Sequence, residues 1–168
     1  MKLPETIHRS IGHQHVLEPE LRTREGAWGV LKKLLVRAAA RLRREGFFTR
    51  RLAVQVKFAQ GPYWEQTAKV DETQDTLLLL KTLRSLWDEC PPGKPFLTGV
   101  TCLDLVPEDR HQFSLFVPPK REGLGKAMDR INARYGKEAI SVAGLQPYRK
   151  AAPTRIPFNR IPHPDEFV

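Results

Sequence analysis

The sequence predicts an α+β fold of the split β-α-β kind, ordered strand, helix, strand, strand, helix, strand, with both helices on one face of the sheet. Three observations carry that prediction. Apolar residues recur at helical spacing in two stretches, Trp28 to Leu42 and Leu77 to Trp87. Alternating runs flank and separate these stretches, the clearest from Leu52 to Phe58. Gly61-Pro62 and Pro91-Pro92-Gly93 supply the punctuation, a hairpin turn and a helix stop. The module covers residues 1–106; residues 107–119 read as a linker, and residues 120–168 as a C-terminal extension with a short helix, a strand and a proline-rich tail.

The first strand is expected from His8 to Leu17, with Ile11, His13, His15 and Leu17 alternating against Gly12, Gln14 and Val16. Gly12 implies a bulge or the close approach of another backbone. Pro19 suits a first helical turn. Trp28, Leu31, Leu35, Ala38 and Leu42 then form one apolar stripe, Lys33, Arg37, Arg41 and Arg44 line another face, and Gly46 is the expected C-cap. Leu52, Val54, Val56 and Phe58 mark a half-buried strand whose wet side carries Ala53, Gln55 and Lys57. Tyr63 to Val70 is its hairpin partner. Asp71 or Gln74 caps the second helix, whose stripe is Leu77, Leu80, Leu83 or Arg84, and Trp87; its Leu77–Leu80 run should be well buried. The fourth strand, Leu97 to Leu105, slips in its alternation near Leu103, as a bulge would make it. Leu124, Met128, Ile131 and Tyr135 outline the extension's helix, Ile140 to Leu145 its strand, and Pro153 opens the tail.

Composition narrows the function. The 168 residues are 40% hydrophobic and 28% charged, as in a folded soluble chain. No apolar run approaches membrane-spanning length, and Met1 to Glu5 lack the pattern of a signal peptide. Cys90 and Cys102 make neither a disulfide framework nor a metal-ligand spacing, so a reducing cytoplasm is the expected setting. The net charge is +9, and the window Arg22–Lys57, with eleven basic and two acidic residues, holds all of that excess. Charge concentrated this way suits a polyanion, nucleic acid before lipid, although solubility alone also favours a basic surface.

Four runs in order resemble one family, the Y-family translesion DNA polymerases of the DinB/UmuC type, in their C-terminal little-finger domain and especially its ImuB-like branch. They are Arg9-Ser10-Ile11-Gly12-His13; Arg41 to Gly46 followed by the basic pair and the alternating strand; Asp129 to Gly136; and Arg155 to Pro162. The resemblance implies a sheet lying against a template–primer duplex. It also implies a catalytic palm outside this sequence, since no paired carboxylates suited to two-metal phosphoryl transfer stand out here. The chain itself is therefore expected to be non-catalytic and to need no cofactor.

The preferred duplex contacts are Arg50, Arg51, Gln55 and Lys57, joined by Arg9, Ser10 and Gly12 and, on the next strand, by Thr67 and Lys69. An ordinary polar sheet face would show the same pattern without the charge window. Gln112-Phe113-Ser114-Leu115-Phe116 resembles the peptide by which these polymerases dock on the sliding clamp; Phe113 stands where the usual pattern has an aliphatic residue. His13 and His15 share a face, but two ligands without acidic or cysteine neighbours do not make a metal site. Cys102 reads as core, the tryptophans as core, and Tyr63 or Trp64 as aromatics near the turn. Two other functions fit less well: an adaptor joining repair proteins to the clamp, and an RNA-binding sheet, against which the outward Ala, Gln and Lys of the second strand argue.

Overall fold

A computed structural model of the chain describes residues 10–112 and 119–153. The module begins with β1 (Ser10–Val16), a 3-10 turn at Pro19–Leu21 and α1 (Arg24–Glu45). The hairpin β2 (Phe47–Phe58) and β3 (Tyr63–Thr73) follows, then α2 (Thr76–Asp88) and β4 (Pro95–Leu103). A two-residue β5 (Val106–Pro107) and a 3-10 turn at Glu108–Arg110 lead to α3 (Pro119–Tyr135) and a last 3-10 turn, Gln146–Tyr148.

The sheet order is β1-β4-β2-β3, every neighbouring pair antiparallel, with β5 added beside the start of β2. β1 and β2 therefore run the same way with β4 between them, and β3 and β4 run the same way with β2 between them. Alternation decides which side of each strand meets the helices. Ile11, Leu52, Val54, Val56, Val100 and Cys102 join α1 residues Leu31, Leu35, Ala38 and Leu42 and α2 residues Leu79, Leu83, Leu86 and Trp87 in one core. The helices also meet through Trp28 and Trp87, stacked with ring centroids 6.1 Å apart.

Caps set the helix ends. The Thr23 side chain accepts from the Gly26 amide at 3.0 Å, and Gly46 closes α1 at φ 70°, in the left-handed region that glycine enters freely. α2 is capped by Asp75, which accepts from the Leu77 amide at 2.8 Å, in place of the expected Asp71 or Gln74, because β3 runs on to Thr73. The α2 stripe is also rotated from expectation: Leu79, Leu83, Leu86 and Trp87 are buried, and Leu77 is exposed. A run apolar nearly all round carries no phase information, so only packing selects the inward face.

Other expectations are corrected beyond β4. The residues after 106 are not a plain linker, since Val106 and Pro107 pair with Phe48 and Phe47. His111 then stacks on Phe48 with centroids 3.6 Å apart, its Nδ1 2.8 Å from Glu72 Oε2. The slip near Leu103 is a turn at Asp104, φ 52°, and the sheet's irregularities lie in β2, between Thr49 and Arg51 and between Lys57 and Phe58. Ile140 to Leu145 forms turns, not a strand. The proline-rich tail from residue 154 onward lies outside the described residues.

The extension folds back on α1. Arg43 makes a two-pronged ion pair with Asp129 of α3, at 2.5 and 2.9 Å, and also donates to the Gln74 carbonyl and Thr76 Oγ1. Lys33, expected at the surface, is buried: it donates to the carbonyls of Tyr148 and Arg149 and pairs with Glu138 at 3.3 Å. Burial lowers its pKa from the usual lysine value, with Glu138 opposing that effect. Tyr148 sits on Gly29, where a Cβ would come within 2.1 Å of its ring.

Candidate nucleic-acid interface

The sheet face away from the helices is where the sequence-chosen positions meet. Register places its outward residues in four rows, each read across β1, β4, β2 and β3. The rows are Ser10, Leu103, Arg51 and Lys69; Gly12, Thr101, Ala53 and Thr67; Gln14, Gly99, Gln55 and Glu65; and Val16, Leu97, Lys57 and Tyr63. Residues within a row stand ~5 Å apart and successive rows ~7 Å apart. Ser10, Gly12, Arg51, Gln55, Lys57, Thr67 and Lys69, chosen from sequence, all fall on this face. Its β4 members, Leu97, Gly99, Thr101 and Leu103, went unnamed; the signal was there, in their alternation with Thr98, Val100 and Cys102.

Gly12 is smooth because it must be. A Cβ there would come within 2.7 Å of Thr101 Oγ1, the side chain facing it across the pair. The nearest group is thus a side chain, with the Val100 carbonyl oxygen at 3.1 Å behind it, and the β1–β4 register runs through Gly12 without a bulge. Such a position lets a partner approach the neighbouring Ser10 and Thr101 hydroxyls without bulk, which suits phosphate tracking.

The cations fall into two groups. Arg51, Lys57 and Lys69 stand on the face; Arg51 reaches Asp104 at 3.1 Å, with both side chains largely solvated, and Lys57 and Lys69 have no ion-pair partner among the described residues. Arg50 is elsewhere. The irregularity between Thr49 and Arg51, braced by Thr49 Oγ1 at 2.7 Å from the Leu103 carbonyl, turns Arg50 toward Glu72, to which its Nε donates at 2.9 Å. That bond and the stronger one from His111 hold the Glu72 carboxyl below its ordinary pKa. Arg9 lies outside the described residues.

Most cations of α1 are bound up within the fold. Arg24 donates to the Trp87 and Cys90 carbonyls at the end of α2, at 3.0 and 2.9 Å. Arg41 pairs with Glu45 at 2.6 Å, Arg43 with Asp129, and Lys33 with the extension. Burial pulls the Arg37 guanidinium below its usual value, against the pull of Glu138. The helix and the open face are on opposite sides of the sheet, so a duplex on one does not touch the other.

No cluster of three or more His, Cys, Asp or Glu suited to a metal occurs among the described residues. His13 faces inward beneath Arg41, Arg37 and Arg44; burial first, then those three charges, lowers its pKa to about 4. His15 is buried against Glu18. Burial alone pushes the Cys102 thiol up to about 12, as for a core residue. Of the clamp-like peptide, Gln112 is exposed, and Phe113, Leu115 and Phe116 lie outside the described residues.

Among solved structures, the chain is similar to the little finger domain of PolIV, in a complex with the beta-clamp processivity factor, at 20% identity and a TM-score of 0.47, covering 64% of this chain and 99% of that one. It is also similar to Dbh DNA polymerase in an insertion ternary complex, at 16% identity and a TM-score of 0.45, covering 58% of this chain and 28% of that one. The sequence model of the impB/mucB/samB family C-terminal domain matches residues 8–115. That match takes in β1 through the 3-10 turn after β5, and with it the whole open face, so this chain belongs to the impB/mucB/samB C-terminal family, the little-finger domain of the Y-family polymerases.

Proposed function

We propose that this chain grips primer–template duplex DNA on the open face of its sheet, through phosphate contacts that do not read sequence, during translesion synthesis or repair. The polymerase chemistry is supplied by a palm domain on the parent polypeptide or a partner. The observation that carries the reading is the convergence of Ser10, Gly12, Arg51, Gln55, Lys57, Thr67 and Lys69 on one face that no described element covers, with small residues and hydroxyls between the cations. Arg50, ion-paired with Glu72, stands apart from this convergence. Fluorescence anisotropy with a labelled duplex is the test. Binding that weakens steeply with salt and ignores base sequence is expected; no binding at low salt would refute the proposal.

A second contact, with the sliding clamp, is favoured by one observation. The segment carrying Gln112, Phe113, Leu115 and Phe116 starts beside His111, which Phe48 and Glu72 hold against the domain. The peptide therefore departs from a fixed point, which lowers the ordering cost of docking. Replacing Leu115 and Phe116 with alanine should abolish clamp pull-down while leaving duplex binding intact. Unchanged pull-down would remove the clamp from the reading.

A further inference from the structure

The end of the open face nearest the β2–β3 turn has a different chemistry from the Arg51 end. Its last row is Val16, Leu97, Lys57 and Tyr63, apolar except for one ammonium. Tyr63 is 54% exposed and Val16 48% exposed, and no helix covers either. The Tyr63 ring is held in place: its hydroxyl lies 2.7 Å from Gln55 Oε1 and 2.9 Å from Glu65 Oε2, donating to one or the other. Desolvation, then Glu65, keeps that phenol protonated above its usual range.

The adjoining row is a polar bar. Gln55 Nε2 donates to Gln14 Oε1 at 3.2 Å, crossing β4 directly over Gly99. A Cβ at Gly99 would come within 2.6 Å of that amide nitrogen, so the bar lies flat only because residue 99 is glycine. Glu65 ends the bar, and its carboxylate repels a phosphate placed over it.

We infer that this end of the face is a base-stacking subsite for an unstacked nucleotide. The base lies on the Tyr63 ring with its edge toward Gln14, Gln55 and Glu65, and the phosphate joining it to the duplex is the one that Lys57 holds. Three observations converge on a nucleobase over a continued phosphate track or an apolar protein segment. A fixed, exposed aromatic ring supplies a π-face. Amide and carboxylate groups beside it offer the donors and acceptors that base edges match. An unpaired ammonium stands within the same row, whereas a protein segment would need no cation there.

The inference rests on the duplex-binding proposal and extends it to the single-stranded template beyond the duplex. The test is anisotropy of the full chain on a blunt duplex and on the same duplex carrying a single-stranded overhang, with 2-aminopurine in the overhang reporting stacking. The overhang should tighten binding about tenfold. Tyr63→Phe should keep that preference, and Tyr63→Leu should lose it and the 2-aminopurine quench while binding the blunt duplex as before. Equal affinity of the wild type for both substrates overturns the subsite and leaves duplex binding standing. A preference that survives in Tyr63→Leu also overturns it, since the overhang is then held without the ring. Absence of binding to either substrate overturns the duplex proposal itself.

Discussion

Replacing Lys57 and Lys69 together with glutamine separates charge that meets DNA from charge that does not. Among the described residues the open face holds three cations, Arg51, Lys57 and Lys69. Three phosphate contacts give a slope of log affinity against log salt of about −2.7, since each contributes about −0.9 on duplex DNA. Raising salt fourfold should then weaken wild-type binding about 40-fold. With only Arg51 left, the slope falls to about −0.9 and the same step costs about 3.5-fold. The control is Arg37→Gln with Arg41→Gln, which removes equal charge from the helix side. It should leave the slope unchanged, because those side chains are half-buried against Glu138 and Glu45. Anisotropy titrations across a salt series read both slopes. An unchanged slope in the lysine pair, or an equal fall in the arginine pair, would refute the assignment of the interface.

Arg43→Met should cost about 2–3 kcal/mol, measured by urea unfolding, because it strands the Gln74 carbonyl and a partly solvated Asp129. Combined with Asp129→Asn in a double-mutant cycle, it should show coupling above about 1 kcal/mol; simple additivity would mean the pair contributes nothing. His13 binds its proton near pH 4 when folded and near its ordinary 6.5 when unfolded. The unfolded chain is therefore the better proton acceptor between those values, and stability should fall as pH drops through that window and level off below it, by about 3 kcal/mol in all. His13→Gln should lack that share of the acid sensitivity, and identical pH profiles would refute it. Gly29→Ala should gain about 1 kcal/mol of helix propensity while unseating Tyr148, leaving global stability nearly level. Hydrogen exchange at Gln146–Tyr148 should nonetheless quicken, and unchanged protection there would contradict the Tyr148 contact.

The open face was legible because a strand's period of two needs no tertiary information. Once Leu52, Val54 and Val56 are assigned inward, Gln55 and Lys57 must point outward. The hairpin turn then fixes Thr67 beside Ala53 and Lys69 beside Arg51. The pairing of β1 with β4 was not legible, because nothing local in Ser10–Val16 names a partner far along the chain. Arg50 escaped because an irregularity shifts alternation without leaving a mark in residue type. Lys33 shows a different failure: a lysine at a surface spacing reads as solvated until something covers it. Here that something is a segment more than a hundred residues away, whose carbonyls accept its protons. The charge window, the strongest sequence signal of function, was thus mostly a signal of assembly.

The strand order has a consequence for how the chain acquires its structure. β1 bonds only to β4, and β4 lies between β1 and β2. β1, made before the other three strands of this sheet, therefore waits for β4 before it has a partner among them. Until then the hairpin β2–β3 can form with α1 and α2 on it, but the inner edge of β2 stays unpaired. Closing that gap joins Ser10 to Leu103, a loop of most of the domain, and such long-range pairing slows folding. Insertion of β4 is thus the step that turns a hairpin with two helices into a sheet. A nascent chain cut before Pro95 should present β2 as an open edge, prone to pairing with other chains.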